Sequence, residues 1–207
     1  MPHTLAADYL KPGFIFNIRA KGDKDWTLDI WCRNISQYFR AKITFPLDRL
    51  IAVSALAKLF ADELHSTYLA GLWLEGLWYT LSWYRRKRDC AERPKDYIAP
   101  SWSWASTNAE VDWHEQRSRF IEKRVEILDA VVEYVGDPFG QVSHGWICVR
   151  GPLVENVSLS DTGQIAFLDF MYPDYLGESP PAEVHCLLLF TSRLYTDKKF
   201  FFSLSSV

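Results

Sequence analysis

Through the first half of the chain, apolar side chains recur at spacings of three and four. From Trp26 onward Leu28, Trp31, Ile35 and Tyr38 or Phe39 fall on one face, the period of an amphipathic helix. "FPLDRLIAVSALAKLFADEL" repeats the pattern, with Pro46 in the first turn and Leu50, Val53, Leu56 or Ala57 and Phe60 along one stripe. A third stretch, "YLAGLWLEGLWYTLSWYRRKR", sets Leu69, Leu72, Trp73, Gly76, Leu77, Thr80, Leu81 and Tyr84 on a helical stripe and Leu74, Trp78 and Trp83 on its other side. The spacing predicts a helix over Tyr68 to Tyr84, apolar nearly all round and therefore central to the core. The run is short for a bilayer and carries Glu75 near its middle, which argues for a core helix over a membrane span.

After the linker "DCAERPKDY" the pattern changes to strands. "SWSWA" alternates, "VEILDAVVEYV" is rich in β-branched residues, and "GWICVRGPLVENVSL", "QIAFLDF" and "VHCLLLFTSRLYT" follow, divided by "GDPFG", "SDTG" and "GESPP". A run of helices followed by a run of strands predicts an α+β fold. The helical layer, about three helices, occupies residues 26–90; an antiparallel β-sheet or partly closed barrel occupies 98–207 and shares its core. Residues 1–25 hold Pro2, Pro12, Gly13 and Gly22 around one short apolar run, "FIFNI", and predict a poorly ordered N-terminal segment.

Nine tryptophans make the aromatic content high. In "APSWSWAS", Trp102 and Trp104 would share one face of a strand, with a turn near Thr107 to Glu110 leading to a partner strand through Val111 and Trp113. A sheet beside a Trp-rich helical layer needs large inward side chains, so burial is expected. Display as a sugar- or base-stacking platform is the alternative.

The formal net charge of -3 gives no global positive field to attract nucleic acid or anionic lipid. The local basic run "RRKR", Arg85 to Arg88, followed by Arg93 and Lys95, reads as the solvated end of the third helix. Cys32, Cys90, Cys148 and Cys186 form no CxxC pair, and "MPHTLAADYL" lacks the pattern of an export signal. The expected compartment is the cytoplasm, with reduced thiols and with the sequons at Asn34 and Asn156 unused.

Candidate chemistry is sparse. His3, His65, His114, His144 and His185 have no zinc-site spacing, and the pairs His144/Cys148 and His185/Cys186 read as fortuitous. There is no GxGxxG, no GxxxxGK[ST] and no GxSxG. Asp129, Glu133 and Asp169 lie in predicted strands and read as solvent-facing positions, although two carboxylates converging in a cleft would support hydrolysis. No catalytic, cofactor-binding or metal residue is assigned, and no cofactor is expected.

The ordered set "WCRNISQYFRAKITFPLDRLIAVSALAKLF", "YLAGLW", "APSWSWAS" and "DPFGQVSHGWICVRGPL" resembles the region that follows the conserved domain of fungal heterokaryon-incompatibility (HET) proteins. The resemblance spans roughly residues 26–153. Ala55 stands where the family usually has glycine, and "TNAE" where it has an Asp-Gly turn. The landmarks of the incompatibility domain itself have no counterpart, and "TDKKFFFSLSSV" lacks the family's closing strand motifs. The resemblance implies a shortened relative or an incomplete gene model.

What the resemblance implies is a link to non-self recognition and regulated cell death, with any enzymatic activity residing in the domain that lacks a counterpart. The expected function is a non-catalytic accessory or regulatory module that acts through contacts with a protein partner, without nucleic acid or membrane. The alternatives are a Trp-lined β module for sugars or bases, and a hydrolase using strand carboxylates.

Overall fold

The computed structural model describes residues 23–40, 45–85, 94–113, 121–157, 184–192 and 198–204. Helix α1, Lys24–Arg40, starts two residues before the expected boundary. Asp23 sets the start: its Oδ1 accepts the N–H of Asp25 at 3.0 Å, satisfying one of the donors a helix leaves open in its first turn. After a 3-10 turn at Pro46–Asp48, helix α2 runs from Arg49 to Leu64. It buries Leu50, Val53, Ala57 and Phe60, the stripe its periodicity predicts, and Leu64 one turn further on.

The third predicted helix is not formed. Strands β1 (Tyr68–Leu69) and β2 (Leu72–Trp73) pair antiparallel, Tyr68 opposite Trp73 and Leu69 opposite Leu72. Ala70 and Gly71 take φ of 46° and 98°, the positive values that both central residues of a type I′ hairpin turn require. A 3-10 turn (Leu74–Gly76), a four-residue helix α3 (Leu77–Thr80) and strand β3 (Tyr84–Arg85) complete the segment. The helical period fitted because nearly every position is apolar, and a segment buried on all sides satisfies any period. Its central place in the core stands: Leu69, Leu72, Trp73 and Leu77 are all buried.

"APSWSWAS" is not a strand either. It makes a turn and then a 3-10 helix at Trp104–Ser106, capped by Ser103, whose hydroxyl accepts the N–H of Ala105 at 3.0 Å. Strand β4 (Val111–Asp112) therefore pairs with β3, Arg85 opposite Val111, instead of with the Trp-bearing stretch. Arg85, expected at a solvated helix end, is buried; Arg86, Lys87, Arg88 and Arg93 lie outside the described residues.

The C-terminal half is antiparallel throughout its described part. Along one side of β9 (Val184–Ser192) lie β5 (Ile121–Lys123) and β8 (Leu153–Val157), and along the other lies β10 (Lys198–Leu204). Between β5 and β8 the chain makes a two-stranded hairpin of β6 (Glu126–Tyr134) and β7 (Val142–Arg150). The fold is α+β, and among the described residues its sheets do not close into a barrel. "FIFNI", "QIAFLDF" and most of the N-terminal segment 1–25 lie outside the described residues. Among those residues no helix is long and apolar enough to cross a membrane.

Candidate functional site

The tryptophans organise the core by pinning loop carbonyls. Trp31 on α1 and Trp104 on the capped 3-10 turn both donate Nε1–H to the carbonyl of Gly71, at 2.9 and 2.7 Å. Ser103 Oγ donates to the neighbouring carbonyl of Ala70. Trp113 donates to Thr80 O at 2.8 Å and Trp83 to Trp102 O at 2.9 Å. Loop carbonyls buried without such donors would cost about 1–3 kcal/mol each. Around them the rings meet edge to face, Trp31 against Phe60 at 5.2 Å and against Trp73 at 5.5 Å, the geometry that aromatic quadrupoles favour.

The same packing answers the question of display. Trp104 is fully buried and Trp102 is 6% exposed, so neither offers a ring face on which a sugar or base could stack. Gly71 is held by this arrangement, since a Cβ there would lie 2.6 Å from the Trp104 ring. Arg49, at the start of α2, is buried too; it donates to Ala105 O and to Asn108 Oδ1 at 3.0 Å and lies 5.3 Å from the Phe39 ring centre. Burial holds its pKa below the ordinary value, and its hydrogen bonds to Ala105 and Asn108 offset part of the cost of burying the charge, its Nε remaining without a partner among the described residues. It is a latch between α2 and that loop.

Among the described residues the candidate chemical groups do not converge. Among the described residues no group of His, Cys, Asp or Glu could hold a metal ion. Asp129 and Glu133 are both exposed on β6, four residues apart and so about 13 Å from one another along a strand. Asp169, His3, His114 and Cys90 lie outside the described residues. His144 and Cys148 share the outer face of β7 with Trp146 between them. Cys32 is buried, and burial pushes its thiol well above the ordinary range, which removes it as a nucleophile at neutral pH. Asn34, a sequon residue, is buried with Nδ2 donating to Ile30 O, so the fold hides it from a modifying enzyme.

What the structure does present is the outer face of the β6–β7 hairpin. Its inner face packs Ile127, Ala130, Val132, Tyr134, Ile147 and Val149 on the core. Gly145 on β7 is needed there, because a Cβ would lie 2.7 Å from Pro100 and 3.3 Å from Trp102. A β-bulge between Ile127 and Asp129 inserts Leu128 without an opposite number. Strict alternation from Ile127 would turn Asp129, Val131 and Glu133 inward; the inserted residue turns them out. Three cross-strand pairs then face solvent: Asp129 opposite Cys148, Val131 opposite Trp146, and Glu133 opposite His144. Val131 is 37% exposed, Trp146 and Leu128 43% each.

Sequence reasoning did not single out Val131 or Trp146. The available signal was the double break of alternation at "ILDAVVEY", where two outward residues follow one another. Polar contacts near the hairpin's tip add to the packing of its inner face: Tyr134 donates its hydroxyl to Tyr68 O, and Lys58 on α2 pairs with Asp137 at 2.6 Å while its ammonium lies 5.8 Å from the Phe139 ring. Lys58 holds the Asp137 carboxyl below its ordinary range. Compared with family models, with curated proteins and with solved structures, the chain matches none.

Proposed function

We propose that this chain is a non-catalytic, cytoplasmic accessory module of the heterokaryon-incompatibility type, acting in non-self recognition and regulated cell death through contact with a protein partner. The observation that carries the reading is the outward pair Val131–Trp146 with Leu128 beside it. An apolar group on an otherwise charged sheet face is a feature of contact surfaces. The family is taken from the resemblance of the ordered motifs; most of their tryptophans are buried in the core, whereas Trp146 stands on the outer face of the hairpin, where a partner can reach it.

The test is expression in a compatible fungal host. Residues 1–207 alone should not kill cells, and co-expression with an intact incompatibility protein should change the frequency of death. The double variant V131S/W146S, at unchanged protein level, should remove that change. An unaltered death frequency on co-expression counts against the reading.

A further inference from the structure

We infer that the partner docks by adding a β-strand along the edge of β6 opposite β7, and that this strand carries a basic residue, an apolar residue and a second basic residue at alternate positions. The inference rests on the contact role proposed for the hairpin. Among the described residues β6 pairs with β7 alone, so its other side offers a row of backbone donors and acceptors to an extended segment. A strand laid there would set its outward side chains about 5 Å from those of β6. Opposite them would stand Asp129, Val131 and Glu133, in that order.

Charge selects the occupant. Among the described residues neither Asp129 nor Glu133 has an ion-pair partner; Asp129 Oδ1 accepts only the N–H of Ala130, at 2.8 Å. Glu126, farther along the strand, is already paired with Arg150 at 3.2 Å. Two unmatched carboxylates thus bracket one apolar residue, with Trp146 behind it on β7. A strand with acids at those positions would be repelled, like charges directly opposite being destabilising. Pairing with a second copy in the register centred on Val131 is disfavoured for the same reason, because it sets Asp129 against Glu133. Nucleic acid and anionic lipid are disfavoured at this face by the same carboxylates.

The probe is a synthetic peptide, acetyl-TKTITKT-amide, titrated into the full chain and followed by amide chemical shifts. Shifts should concentrate on β6 and on Trp146, and amides along the outer edge of β6 should gain protection from hydrogen exchange. The D129N/E133Q variant should weaken binding about tenfold, as should high salt, and acetyl-TETITET-amide should not bind. A lysine peptide N-methylated at alternate residues, unable to complete the ladder, should lose binding. Equal binding of the glutamate peptide, binding unaffected by D129N/E133Q, or no binding of the lysine peptide overturns the inference. Loss of the cell-death effect in V131S/W146S would in any of those cases leave the contact role standing.

Discussion

Trp31 and Trp104, one on the first helix and one on a capped turn far along the chain, donate their indole N–H groups to a single carbonyl oxygen, that of Gly71. The hairpin tip that owns this carbonyl has φ values that only a few residue types accept. Backbone conformation, ring packing and hydrogen bonding therefore meet at one residue.

Gly71→Ala should accordingly be costly. The added Cβ meets the Trp104 ring at 2.6 Å in a backbone of φ 98°, so overpacking and left-handed strain add. The expected loss is about 3 kcal/mol, read by urea denaturation. A loss below about 1 kcal/mol, the range of surface sites, would show that the tip is not under this constraint.

Trp73 and Trp104 are both fully buried, yet their indole nitrogens differ: Trp104 Nε1 is hydrogen-bonded, while Trp73 Nε1 is buried without a partner. Trp73→Ala should cost about 3–5 kcal/mol as a large-to-small core change. With phenylalanine the two sites should part. Trp104→Phe should be the more destabilising by about 1 kcal/mol, since it gives up a hydrogen bond and Trp73→Phe gives up none. Equal losses would assign both tryptophans to packing alone.

Alkaline pH should unfold the protein through its tyrosines. Burial raises Tyr68, Tyr79 and Tyr134 above the ordinary 10.0, Tyr134 to about 12. Between those values the unfolded chain releases protons that the folded one keeps, so stability falls as pH rises. The contribution is whole below pH 10 and, for Tyr134, is gone above about 12. Phenolate absorbance and circular dichroism, followed together, should change in one step for these residues. Early ionisation with the fold intact would place them in contact with water.

Trp146 should be the indole most open to solvent. At 43% exposure it stands apart from Trp102 and Trp104, so Trp146→Phe should remove a large share of acrylamide-quenchable fluorescence and leave stability within about 0.5 kcal/mol. Saccharides should leave the fluorescence unchanged.

The first two helices were legible because each has one apolar stripe and one polar face; the stripe Leu50, Val53, Ala57, Phe60 is buried as read. The segment Tyr68–Tyr84 was not, since a sequence apolar on all sides carries no period of its own, and the cue that mattered was the Ala70–Gly71 turn. Burial of Trp102 and Trp104 was legible from composition. Their conformation was not: Ser103 between them, which mimics strand alternation, serves both as a cap and as a donor to Ala70 O. The solvent face of the hairpin was hidden by the bulge at Leu128, because inserting one residue exchanges inside and outside for every residue that follows.

The shared carbonyl also sets an order of events at the ribosome. Trp31 emerges early, and its partner Gly71 follows, but the second indole that closes the site comes roughly seventy residues after the first, several seconds later at ordinary rates of synthesis. Until then a large apolar ring that the finished protein seals from water stands open at the front of a growing chain. A nascent chain stalled between the hairpin tip and Trp104 should therefore be a good client for chaperones that bind exposed aromatic residues, and release should coincide with the arrival of the "SWSWAS" turn.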